Sequence, residues 1–222
     1  MTIDINDLIK SITESLGRIE YIKSDDIPNI DLYMDQVTSF LEERLKSTTR
    51  NKGEDKILTK TMINNYAKND LLPPPAKKKY SKDHMISLLL IYYLKYFLSI
   101  SDIETILKPL NEKYFGKDEE VTMARVYDEL IEKEAKMLDG IIEDITFKFD
   151  EAHTMYKDVK NGDEETLQTF AFITLLSQDV YIKKLLIEKL VDGCRDKLAR
   201  DEKGDKGLKI DYNRSQLVTR GL

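Results

Sequence analysis

The sequence predicts a mainly α-helical fold, and three observations carry that expectation. Glycine and proline are scarce, nine and five in 222 residues, so few turns interrupt the chain. Charged residues make up 34% of it, which suits solvated helices. Apolar residues also recur at spacings of three and four over long stretches, the period of a helix face.

Leu8, Ile12, Leu16 and Ile19 keep this spacing, which predicts an amphipathic helix over about 4–21. SDDIPNID follows as an acidic, solvated loop in which Asp31 caps the next helix. That helix carries Tyr33, Val37, Phe40, Leu41 and Leu45 inward, and KSTTRNKGEDK leaves it as a flexible basic connector. Thr59 is a good N-cap, since its hydroxyl can take one of the unpaired amide protons that open a helix. The helix it opens turns Ile63, Tyr66 and Ala67 toward a core and Lys60, Thr61, Asn64, Asn65 and Lys68 away from it. An asparagine amide matches the donor–acceptor edge of adenine, and lysine and threonine reach guanine or phosphate. Many solvated helix faces have this composition, and the neighbouring segments are what set this one apart.

Leu71 and Leu72 fold back onto the core, and Pro73, Pro74 and Pro75 then forbid helix and hold the chain extended. Lys77, Lys78 and Lys79 sit on that support, and Tyr80 packs inward. Three adjacent ammonium groups repel one another, so a line of phosphates is their natural partner. Ser81 caps the following helix with Asp83 near its positive end, and Met85 to Leu98 is apolar nearly all round, interrupted mainly by Lys95. Ser101 and Glu104 read as a capping box opening the helix SDIETIL, which Pro109 should kink or end near Lys108. NEKYFGKDEE returns the chain to solvent at Gly116. A polar-faced helix, a basic wing and a buried helix in succession are what a winged helix–turn–helix needs to grip DNA.

The distribution of charge agrees. The net charge is −6, yet between Arg44 and Lys82 eleven basic residues face only Glu54, Asp55 and Asp70, a local +8 that leaves −14 for the remainder. A basic block on an acidic body can approach DNA from one side only.

Beyond the block, Ile131, Ala135, Leu138, Ile142, Ile145, Phe149, Ala152 and Tyr156 alternate steps of four and three, a heptad seam of the kind that pairs with another helix. The partner is either the same helix of a second subunit or another helix of this chain. KNGDEET marks a turn capped by Asp163, and the helix from about 164 to 191 is apolar on most sides and should be buried. An intramolecular hairpin covers only one face of that pair, which favours a homodimer built by Ile131, Leu138, Ile142, Ile145 and Phe149. Residues 193–222 read as a charged, poorly packed tail. A pocket for an effector, if there is one, would gather Phe147, Phe149, Phe170 and Phe172.

Catalytic patterns are lacking, so the protein is not expected to be an enzyme. His84 and His153 are the only histidines, and the Asp150–His153 pair has no second carboxylate–histidine pair to complete a di-metal site. No glycine-rich phosphate loop and no nucleophile elbow occurs, so no cofactor or metal is expected. Cys194 is the only cysteine, which rules out an intrachain disulfide and reads as an ordinary free thiol. With no basic-then-apolar leader and no apolar run near the ~20 residues that span a bilayer, the expected location is the cytoplasm, away from membranes.

TKTMINNYAKNDLLPPP, then KKYS, then LLLIYYLKYFLSISDIETIL resembles the DNA-binding half of the MerR-type winged helix–turn–helix family. More closely, IPNIDLYMDQVTSFLEERL with TKTMINNY is similar to a bacterial family known only as domain of unknown function 1836. The resemblance covers roughly Ile27 to Leu110. It implies that Thr61, Asn64 and Lys68 are helix contacts to DNA and that Lys77, Lys78 and Lys79 are wing contacts. The wing is shorter than is usual in MerR proteins and lacks their glycine tip.

The expected organisation is therefore an N-terminal helix (1–26), a MerR-like winged helix–turn–helix domain (27–116), a C-terminal helical hairpin for dimerisation (117–192) and a tail (193–222). The function this implies is a sequence-specific, dimeric regulator of transcription that binds double-stranded DNA. The alternative is a protein-interaction module that keeps the fold without DNA binding.

Overall fold

A computed structural model describes residues 22–51, 56–159 and 162–202, together with Asp7, Lys10, Ser11 and Glu14. Those four positions are helical, but Leu8, Ile12, Leu16 and Ile19, on which the N-terminal helix rests, lie outside the described residues, as do residues 203–222.

The protein is mainly helical. A two-residue strand β1 (Leu32–Tyr33) leads into helix α1 (Met34–Leu45) and then α2 (Lys60–Lys68). Strand β2 (Lys79–Tyr80) precedes α3 (Lys82–Leu94), α4 (Ile100–Tyr114), α5 (Met123–Thr154) and α6 (Glu164–Glu202). The strands pair antiparallel, Leu32 with Tyr80 and Tyr33 with Lys79. Because successive strand residues face opposite ways, this register buries Leu32 and Tyr80 and leaves Tyr33 outside.

One core joins these elements into a head. Val37, Leu41 and Leu45 of α1 meet Ile63 and Tyr66 of α2, the run from Met85 to Leu89 of α3, and Ile103 and Leu107 of α4. Ile22 before β1 and Met123, Tyr127 and Ile131 of α5 close it. The Tyr127 hydroxyl donates to the Ile22 carbonyl (2.8 Å), and Asp128 accepts from both the amide and the hydroxyl of Ser24 (2.8 and 2.5 Å). The stretch read as a solvated loop is thus moored to α5, through a 3-10 turn at Ser24–Asp26.

Several boundaries differ from the sequence expectation, each for a local reason. Tyr33 is not an inward helix residue but an exposed strand residue, and α1 is closed at its start by Gln36 accepting the Tyr33 amide (2.9 Å), not by Asp31. Pairing with β2 keeps 32–33 extended, so the helix cannot begin earlier. The capping pair of α4 is Ser99 and Asp102, two residues before the expected box, with the Asp102 amide donating to the Ser99 hydroxyl (3.2 Å). Pro109 lies inside α4, which continues to Tyr114. Buried Leu107 and the bond from the Ser87 hydroxyl to Asn111 (3.3 Å) hold the helix on α3 past the proline. Gly116 does end it, in the left-handed conformation (φ +65°) that glycine adopts without strain.

Helices α5 and α6 form an antiparallel arm. Phe149 meets Phe172, and Gln168 donates to the carbonyls of His153 and Met155 near the far turn. At 1.5 Å per residue the 32 residues of α5 reach about 48 Å. The helix predicted to stop near Val191 runs on to Glu202, because it returns to the head: Val191 enters the core and Arg195 pairs with Asp102 of α4 (2.6 Å).

Candidate nucleic-acid interface

The polar face of α2 is built by its two ends. At the start, the Met62 amide donates to the Thr59 hydroxyl (3.2 Å), as the sequence suggests. At the finish, Asp70 turns left-handed (φ +57°), so that the amides of Leu71 and Leu72 both reach the Tyr66 carbonyl (3.0 and 3.1 Å). With Ile63 and Tyr66 buried beneath, Lys60, Thr61, Asn64, Asn65 and Lys68 are all exposed. Lys60, Asn64 and Lys68 form a row at i, i+4 and i+8.

Lys95, the lone cation of the apolar α3 region, secures the entry to this helix. Its Nζ donates to the Ile57 carbonyl (2.6 Å) and lies over the rings of Tyr92 and Tyr96, 4.7 and 5.3 Å from their centroids. Tyr92 in turn shares a hydrogen bond with Thr48 (2.5 Å), so α3, the end of α1 and the start of α2 are tied at one point. Burial lowers the Lys95 pKa below the ordinary lysine value. The sequence marked Lys95 only as an interruption; a single cation in an apolar stretch was the signal for this role.

The wing is a hairpin rather than a simply extended segment. Ala76 and Lys79 bridge antiparallel, with the Lys79 amide donating to the Ala76 carbonyl (2.9 Å). Lys77 and Lys78 between them both have positive φ, +51° and +64°. Positive φ at both central residues marks the type I′ turn, usually made by Asn-Gly. Side chains other than glycine in this region are strained by about 1 kcal/mol each, yet here two lysines occupy the tip. The strain sets two exposed ammonium groups at the outermost point of the hairpin.

Beneath the wing lies His84, 4% exposed, edge-on to Tyr80 (5.4 Å) and Phe115 (4.7 Å). Its Nδ1 accepts the Ser81 amide (2.9 Å), so His84 supplies the bond that closes the start of α3. Its Nε2 is buried and meets no group at good hydrogen-bond geometry among the described residues. Burial lowers its pKa, against the opposing pull of the Pro73 and Pro74 carbonyls and of Asp83 and Asp31.

Helix and wing converge at the N-terminus of α1. Lys60 forms an ion pair with Asp35, and the Lys79 Nζ lies 5.2 Å from the Tyr33 ring. Tyr33 and Asp35 are two residues apart, so the first residue of α2 and the base of the wing share one neighbourhood. Beside it a cleft of about 350 Å³ opens between α1 and the chain entering α2, with Lys46, Lys56 and Lys60 among its walls. The sequence counted these lysines in the basic block but had no means of placing them in a cleft.

The remaining candidates distribute differently. Ile131 belongs to the head core, and Leu138, Ile142, Ile145 and Phe149 are half-buried along the arm, Ile145 and Phe149 against residues of α6. At its far end, Ile145 and Phe149, the heptad seam therefore has a partner inside its own chain. Phe149 and Phe172 meet (5.3 Å), whereas Phe147 and Phe170 stay on the surface, so the four do not enclose a pocket. His153 Nδ1 pairs with the Phe149 carbonyl (3.0 Å), and Cys194 is exposed. Among the described residues no group of three or more metal-ligating side chains gathers, and no helix is long and apolar enough to cross a membrane.

The molecule is thus a hairpin-bearing helical head, with a basic stretch between Arg44 and Lys82, on a long two-helix arm. Residues 22–130, just under half of the chain, match the family described as Domain of unknown function (DUF1836). The match begins at Ile22, the first buried residue of the head, and stops one residue before Ile131, where α5 leaves the core. No curated protein and no solved structure matches the chain.

Proposed function

We propose that the head is a MerR-type winged helix–turn–helix that binds double-stranded DNA, and that the chain is a sequence-specific regulator of transcription. The single observation that carries this reading is the convergence of the α2 row and the lysine-tipped hairpin on the N-terminus of α1. A recognition helix in the major groove requires just such a flanking element to hold the adjacent backbone. Asn64, midway along the exposed row, and Thr61, in the first turn beside it, are the base-reading side chains; Lys68, Lys77, Lys78 and Lys79 contact phosphate. The strained hairpin tip supports the same division, since glycine would make the turn at lower energy but bring no charge.

The test separates the two kinds of contact. Lys77→Glu with Lys79→Glu weakens binding to every duplex alike. Asn64→Ala blurs preference between duplexes, with a loss of about 1–3 kcal/mol confined to preferred sequences. Binding untouched by either change contradicts the assignment.

A further inference from the structure

The arm carries an apolar girdle that its own chain leaves uncovered. Between Val180 and Leu190, α6 exposes large apolar side chains around most of its circumference, with Ile182 61% and Leu186 59% exposed. Lys183, Lys184, Glu188 and Lys189 interrupt it, yet a helix apolar on most sides needs cover. This one does not fray, because both ends are fastened: Phe172 packs in the far cluster, and Val191 and Arg195 dock on the head. The girdle is therefore a preformed surface.

We propose that a second copy of this chain covers it, arm against arm, in a four-helix arrangement. Two observations select a copy of the chain over another partner. The first is area. With Met137, Ile141 and Phe147 of α5 alongside, the exposed apolar side chains of the arm offer on the order of 1,000 Å², against the roughly 800 Å² per partner of a stable interface. The second is charge. Lys183 pairs with Asp179 (2.8 Å), Lys184 with Glu188 (3.7 Å), and Lys148 with Asp144 and Asp179. Over 136–148 and 179–190 the charged side chains number five of each sign, so the girdle has no net charge bias that would choose an oppositely charged partner. Two identical girdles meet without like-charge opposition, as a two-fold symmetric contact requires. The pairing surface is then α6, not the α5 seam, whose Ile145 and Phe149 pack against α6 of the same chain. This inference does not rest on DNA binding by the head.

The experiment is sedimentation equilibrium of the full chain without DNA, so that failure of the DNA reading leaves it unaffected. The expected mass is twice that of the chain. Ile182→Glu with Leu186→Glu halves it while the helical circular dichroism persists. Leu186→Cys in a Cys194→Ser background reports the surface directly, including where the charged variant fails to fold. Its maleimide reaction slows several-fold as protein concentration rises through the association range. A single-chain mass at all concentrations overturns the proposal. So does a dimer in which the residue-186 thiol reacts equally fast when paired and unpaired.

Discussion

Two segments of this chain are apolar on most sides, and they meet opposite fates. In α3, every residue from His84 to Leu89 is buried among α1, α2, α4 and α5. In α6, the stretch from Val180 to Leu190, apolar but for Lys183, Lys184, Glu188 and Lys189, is largely exposed. Apolarity dictates that a helix must be covered; it does not say by what. The head closes its own core, and the arm leaves large apolar side chains uncovered.

Substitutions sharpen that contrast. Leu89→Ala removes a fully buried side chain, and the expected loss in denaturant unfolding is about 2–5 kcal/mol at any protein concentration. Leu186→Ala removes a similar side chain from the girdle. Its loss is expected to stay below about 0.5 kcal/mol in dilute protein and to grow with concentration. Equal, concentration-independent losses at the two sites would erase the distinction between head and arm.

Within the head, Lys95→Met keeps the aliphatic stem but removes the bond to the Ile57 carbonyl. Stability is expected to fall by about 1–2 kcal/mol, and amide exchange at the start of α2 to quicken more than that of α3. Uniform exchange across both helices would mean that Lys95 secures nothing in particular. At the wing, Lys77→Asn with Lys78→Gly relieves two left-handed lysines. The variant should gain about 1 kcal/mol in stability while binding DNA less well. A gain in both properties would remove the argument from strain.

The smallest effect is the pH dependence of His84. Its pKa is lowered in the folded state, so the unfolded chain binds the extra proton first. Its contribution to stability is complete above the ordinary histidine value of about 6.5 and declines as pH falls from there toward the lowered folded value. Melting temperatures taken through this range should fall less for His84→Gln than for the unaltered protein. Identical slopes would show that His84 does not titrate in the fold.

Much of the head was legible in the sequence because its signals are short-range. The Thr59 cap, the inward Ile63 and Tyr66, the Leu71–Leu72 return and the inward Tyr80 each follow from residues within a few positions. What escaped depends on distant partners. Two-residue strands give no alternation to detect, so the pairing of Tyr33 with Lys79 was not foreseen. The hairpin tip lacks the Asn-Gly that announces a type I′ turn. The heptad seam left open its partner, which for Ile145 and Phe149 is α6 of the same chain. Nothing near Val191 or Arg195 foretold that α6 would return to α4 and continue to Glu202.

The most direct test of the proposal that the head binds DNA is the affinity of the full chain for a duplex of arbitrary sequence as salt is raised. Contact with four or five phosphates per head gives a log–log slope of about −4, reduced by nearly two when Lys77 and Lys79 are both changed to Glu. An affinity indifferent to salt, or no binding at low salt, would contradict DNA recognition and leave the basic face to an acidic protein partner.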